Sequence, residues 1–179
     1  MAKAASKTNA MRALDQRKIE YEVFSYDESI HSAVAVAEVL GIPPEQVFKT
    51  LVMLPSIGRP ILVMVPGDAE VDPRLLARSI DVKGVNMASK RDAERLTGLL
   101  VGGIGALALL GKPFDVYLER AAISHSKIFV NGGRRGINLR VAVNDLIRLT
   151  SARVVDVAID TETDRIDRDV VTSRHRIEC

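Results

Sequence analysis

A chain of 179 residues, 47% hydrophobic and 27% charged, holds enough apolar material for one globular unit with a real core and is not composed like a disordered segment. Its 25 Lys and Arg against 23 Asp and Glu leave a formal charge of +2, which excludes a protein that wraps nucleic acid through many phosphates but not a small local contact. The one cysteine, Cys179, is the last residue, which excludes an internal disulfide, a cysteine zinc cluster and an internal cysteine nucleophile, and makes a reducing cytoplasm the expected compartment.

The opening M-A-K-A-A-S-K-T-N-A lacks the apolar core of a secretory signal, so no export is expected. Thr8 or Asn9 caps a first predicted helix whose stripe is Ala10, Met11, Ala13, Leu14 and Ile19, and residues 21–26 alternate as a strand. His31-Ser32 opens the helix A-V-A-V-A-E-V-L, which Gly41 stops and Pro43-Pro44 forbids from resuming. Next comes V-F-K-T-L-V-M-L over 47–54, apolar on both faces and therefore a predicted central strand covered on both sides. Lys49 is the anomaly in that run. Either it lies at the open end of the strand and snorkels to water, or it faces a wet pocket as a working cation.

Beyond the breaker-rich turn P-S-I-G-R-P, residues 61–65 are the expected hairpin partner. Asp72-Pro73 heads a short helix to Ser79, and Ser89-Lys-Arg-Asp92 begins another that ends near Thr97-Gly98. Strands are predicted over 99–101, 114–118, 127–130 and 137–141, then a helix over 144–149 and a last strand over 154–157. The most apolar window, 99–110, is shorter than the ~18 residues of a membrane span and contains three glycines. Strands outnumber helices and come in runs, so the expected fold is α/β of the α+β kind, a mixed, barrel-like sheet with helices packed outside. One domain over 1–159 is expected, with 160–179 a polar, mobile tail.

There is no G-x-S-x-G elbow, H-E-x-x-H, P-loop or dinucleotide fingerprint, and His31, His125 and His175 show no ligand spacing. An enzyme built from this chain is expected to work without a metal, a cofactor or a catalytic triad. V-G-G-I-G-A-L over 101–107 follows an apolar run, so its backbone N–H groups can cradle an oxyanion or carbonyl, or its glycines can relieve crowding at a bend. V-N-G-G-R-R-G over 130–136 is either a plain hairpin turn or a loop offering amides and guanidinium groups to phosphate. The absence of Trp and an aromatic content of 4% leave little for base-stacking platforms.

F-K-T-L, L-V-G-G-I-G and V-N-G-G-R-R-G, in this order, together resemble the YbaK/EbsC family, related to the editing insertion of bacterial prolyl-tRNA synthetases. The likeness runs from about residue 11 to 150 and takes in Tyr26 and the helix before the lysine strand. It implies a trans-editing deacylase that hydrolyses the ester of mischarged tRNA, with Cys-tRNA(Pro) the leading substrate, Ala-tRNA(Pro) another, and a prolyl-tRNA synthetase a possible partner. A non-catalytic module that binds the tRNA acceptor end or a nucleotide is the rival expectation. The resemblance implies that Lys49 and Gly103 carry the chemistry, and that Tyr26, Thr50, Gly102, Ile104, Gly105, Ala106, Asn131 and Gly132 bind substrate. It further implies substrate assistance, in which water or the substrate's own thiol attacks with help from a ribose hydroxyl. Two departures stand out: Ala106 where the family pattern G-x-x-x-P has proline, and Asn131 where relatives have serine.

Overall fold

A computed structural model describes residues 6–160 of the chain. Helix α1 (Asn9–Gln16) begins where Thr8 Oγ1 accepts the Met11 N–H at 3.2 Å, and it buries Ala10, Met11 and Leu14. After β1 (Tyr21–Ser25), Ser32 Oγ caps α2 (Ala33–Leu40) by accepting the Ala35 N–H at 3.0 Å. Gly41 ends that helix with φ 66°, a left-handed conformation that glycine adopts without steric cost.

The lysine run forms β2 (Val47–Pro55), paired antiparallel with β3 (Ile61–Pro66). β4 (Ala69–Val71) leads to α3 (Pro73–Ser79), capped by Asp72, and β5 (Val85–Met87) leads to α4 (Lys90–Thr97), capped by Ser89 and closed by Gly98 at φ 71°. Then follow β6 (Asp115–Glu119), β7 (Lys127–Asn131), β8 (Ile137–Ala142), α5 (Val143–Thr150), β9 (Arg153–Val155) and β10 (Ala158–Asp160).

The strand expected over 99–101 is absent. Local bonds use its backbone instead: Thr97 Oγ1 takes the Leu99 N–H at 3.1 Å, Glu94 Oε1 the Val101 N–H at 3.0 Å, and Leu100 O the Gly103 N–H at 2.8 Å. With those groups satisfied at short range, the segment has no ladder to offer a neighbour.

The main sheet runs β1-β8-β7-β2-β3-β6-β9, with β5 added beside β2. β2/β7, β3/β6 and β6/β9 are parallel and the remaining pairs antiparallel, so the fold is mixed α/β as expected. The sheet does not close into a barrel: β1 and β9 are its edges, and β10 pairs with β4 in a separate ribbon. Both faces of β2 are covered. Phe48 and Val52 join the core under α1 and α5, while Met53 packs with Val63, Leu76 and Val157 on the other side. Val47 packs with Phe129 and with Val36 and Ala37 of α2. Among the described residues no helix is long and apolar enough to cross a membrane. Apart from Asp160, the expected tail lies outside the described residues, as do His175 and Cys179.

One buried carboxylate locks the far end of the sheet. Glu119, 5% exposed, accepts the Val157 and Ala158 N–H groups on Oε2, both at 2.8 Å, and so ties β6 to the chain entering β10. Glu119→Ala orphans both donors, each costing about 1–3 kcal/mol when left unpaired, so urea unfolding is expected to show a loss of about 2–4 kcal/mol. Glu119→Gln, which keeps an acceptor oxygen, is expected to lose less.

Candidate active site

Along one edge β2 is bonded to β3, but its other edge is divided. Val47 and Phe48 pair with Phe129 and Val130 of β7, and Met53, Leu54 and Pro55 pair with β5. Residues 49–51 fall between these neighbours, and a cavity of about 410 Å³ opens over the gap. Lys49 and Thr50 of β2, Met87 of β5 and Asn131 of β7 are among its lining residues.

Lys49 lies on the face of β2 that meets α2, and its Nζ donates to Gly67 O at 3.3 Å. Burial pulls its pKa below the ordinary 10.5, while the charges of Glu70 and Asp68 push the other way. Gly67 is required for this packing, because a Cβ there would come within 2.8 Å of Ala33 Cβ on α2. Of the two sequence readings of Lys49, the structure therefore has the ammonium half-buried at a cavity wall.

The two glycine loops meet on the opposite side of the cavity, and Asn131 joins them. Its Nδ2 donates to Gly102 O at 2.9 Å and its Oδ1 accepts the Gly133 N–H at 2.8 Å. Arg135 adds a second tie, Nε to Val101 O at 2.8 Å. Asn131 thus bonds Gly102 of the other loop and Gly133 of its own at once, a reach the shorter serine hydroxyl lacks, so the departure at position 131 has a structural consequence. The glycines permit the close approach: a Cβ on Gly103 would sit 2.8 Å from the Arg135 nitrogen, and one on Gly105 would collide with the Asn131 carbonyl.

Six expected site residues gather at the cavity: Tyr26, Lys49, Thr50, Gly102, Ile104 and Asn131. Gly103, Gly105, Ala106 and Gly132 stand behind its wall. The Gly103 N–H is engaged by Leu100 O, whereas the Gly102 and Ile104 N–H groups have no partner among the described residues. Ala106 is buried at the head of the short 3-10 turn Ala106–Leu109. Tyr26 donates to Asn138 Oδ1 at 3.3 Å; burial pushes its phenol pKa up, and the Asn131 amide partly offsets that.

Sequence reasoning passed over His31 and Asn138, which also line the cavity. His31 reads as the residue before a capped helix, and only the fold shows that the helix start faces Gly102, whose added Cβ would lie 3.3 Å from His31 Nδ1. Asn138 did carry a signal: an amide in the apolar strand I-N-L-R-V-A needs a buried partner, here Tyr26.

The lining includes Lys49, Lys90 and His31 and no Asp or Glu among the described residues, over walls otherwise largely apolar. Such a site suits oxygen that gains negative charge during reaction. Among the described residues no three His, Cys, Asp or Glu side chains gather as a metal site. Thr50 Oγ1 is buried without a hydrogen-bond partner.

Lys49 and two loop residues, Gly102 and Ile104, whose N–H groups have no partner among the described residues, thus line one largely apolar cavity. Residues 27–149 match the family model described as the aminoacyl-tRNA editing domain, and the chain belongs to that family, a class of aminoacyl-tRNA hydrolases. The Enterococcus faecalis protein EbsC, provisionally named a Cys-tRNA(Pro)/Cys-tRNA(Cys) deacylase, is 35% identical over 157 residues, covering 87% of this chain and 95% of its own. A proline–tRNA ligase of Geobacter metallireducens is 32% identical over 102 residues, 57% of this chain and 17% of the ligase. A crystal structure described provisionally as a trans-editing enzyme for prolyl-tRNA synthetase shares the fold, with a TM-score of 0.74 at 24% identity over 86% of this chain and 98% of that one.

Thr50→Val keeps the side-chain shape and removes the orphan hydroxyl. It is expected to stabilise the protein by about 1 kcal/mol, seen as a rise of about 2–4 °C in Tm. Asn131→Ala severs the tie between the loops and is expected to speed amide hydrogen exchange in 101–105, while global stability falls by about 1–3 kcal/mol.

Proposed function

We propose that the protein acts in trans on mischarged tRNA, hydrolysing the ester bond of Cys-tRNA(Pro) ahead of other substrates. The observation that carries this reading is that Lys49 and the loop residues Gly102 and Ile104, whose amides have no partner among the described residues, line one cavity whose described lining contains no carboxylate. Family membership and the name of the Enterococcus relative support it. The acceptor end of the tRNA is the partner, a prolyl-tRNA synthetase is the source that delivers it, and the cytoplasm is the compartment.

In this mechanism the ester carbonyl lies between Lys49 and the Gly102 loop, and negative charge developing on its oxygen is stabilised by the ammonium and the two amides. Asn131, Arg135, Gly103, Gly105 and Gly132 position that loop, and Ala106 anchors its exit. The nucleophile is the substrate's own thiol or water, and on this reading the route uses no metal. Holding the reacting atoms in line can itself supply about 7–11 kcal/mol. His31 provides an imidazole nitrogen that could accept a proton from water, a role that thiol attack does not need.

The test follows ester loss from Cys-, Ala- and Pro-charged tRNA(Pro). The cysteinyl ester is expected to go fastest, and Lys49→Ala to slow it about 10²–10³-fold. Loss at the buffer rate with every ester, with tRNA still bound, would instead make the protein a binding module; cleavage of the alanyl ester alone would move the substrate to Ala-tRNA(Pro). With thiol assistance, His31→Ala is expected to leave the cysteinyl rate unchanged.

The pH dependence has a defined sign. Burial favours neutral Lys49, so the cationic form persists below its lowered pKa and is lost as pH rises through it, at a pH under 10.5. Affinity for a non-hydrolysable amide analogue of cysteinyl-adenosine is expected to fall over that range in the wild type and to stay flat in Lys49→Met. The same shift means that the cost of burying the charged form is borne by the fold at neutral pH and relieved above the folded pKa.

A further inference from the structure

Strand β2 leaves one residue without a ladder partner on its divided edge, and we infer that this residue, Thr50, reads the base of the terminal nucleoside through its backbone N–H and C=O. The inference rests on the deacylase reading for the identity of the ligand, and on the strand geometry for everything else.

Val47 O accepts the Gly67 N–H on the β3 side, and Val52 O accepts the Ala88 N–H on the β5 side. Alternation along the strand therefore turns the backbone groups of Phe48, Thr50 and Val52 toward the divided edge. Phe48 is paired with Val130 of β7, and Val52 O is met by Ala88 just beyond β5. Thr50 lies between them, and its N–H and C=O have no partner among the described residues. Its hydroxyl, buried on a face of the strand, also has no partner among the described residues. A donor and an acceptor on a central strand that face a cavity instead of a neighbouring strand are available to a ligand.

The gap selects its occupant by size and charge. From Phe48 to Val52 it spans roughly 13 Å of strand, and both ends are closed by β7 and β5, so a peptide strand longer than about three residues would run into them. An α-ammonium group would find the carbonyl but no acidic side chain, with Lys49, Lys90 and His31 around it. A neutral flat base is favoured instead, held between apolar walls that include Met87, Ala88 and Ile104. Adenine offers an amine beside a ring nitrogen: the amine donates to Thr50 O and the ring nitrogen accepts the Thr50 N–H. Hypoxanthine presents a carbonyl where adenine has its amine and sets acceptor against acceptor.

The experiment measures Kd for 3′-aminoacylamido-3′-deoxynucleosides that differ only in the base: adenine, purine without the amine, hypoxanthine and N6,N6-dimethyladenine. Purine is expected to bind about 10-fold more weakly than adenine, and hypoxanthine more weakly still. The Thr50 amide resonance is expected to move on binding the adenine compound. Equal affinities across the series, a Thr50 resonance that stays in place, or no binding by any compound would overturn the inference. Base preference without ester hydrolysis of charged tRNA would keep it and sink the deacylase reading, and hydrolysis indifferent to the base would do the reverse.

Discussion

A β-strand has two edges, and the site depends on how β2 divides one of them between a parallel neighbour at its start and an antiparallel neighbour at its end. The two partners come from different parts of the chain, and pairing with β7 stops at Phe48 while pairing with β5 involves only Met53 to Pro55. What remains is a stretch of central strand exposed at its edge yet covered on its faces. Lys49 enters the cavity from one face of that stretch and the Thr50 backbone from its edge, so consecutive residues present a cation and a neutral donor–acceptor pair in different directions.

The opposite wall is a pair of loops that hold each other. The Asn131 amide and the Arg135 guanidinium each donate across to a main-chain oxygen, each contact contributing about 0.5–1.5 kcal/mol net, and glycine at the contacts removes the side chains that would keep the loops apart. Gly102 takes φ 91°, which few other residues tolerate, and this conformation is fixed by bonds to its own carbonyl rather than by its side. The loop is thus ordered before a ligand arrives, which is the condition for amides to stabilise a transient charge efficiently.

Most of the fold was legible because its signals are local. Thr8, Ser32, Asp72 and Ser89 cap the helices that their positions forecast, and Gly41 and Gly98 end two of them. The largely apolar run betrayed the central strand, and the lysine that interrupts it lines the cavity. The rest was hidden because it depends on partners distant in sequence. β4, β5 and β10 have three residues each, too short to show a period, and exist only where another strand is waiting. The run over 99–101 looked like a strand by composition, but the side chains of Glu94 and Thr97 satisfied its backbone first. In the glycine motif, sequence showed that the backbone comes close to something; it could not show that for Gly103 and Gly105 the something is the other loop.

Both ties to the segment beginning at Val101 end on main-chain oxygens, at Val101 and Gly102, which every amino acid possesses. The outline of the cavity mouth is therefore insulated from the identity of Val101, whose side chain is exposed, whereas Ile104 is also held by the core. A change at Val101 can thus alter the rim of the cavity without breaking either tie. Alanine at 106 fits the same logic: a segment pinned from outside has no need of a stiff residue within it.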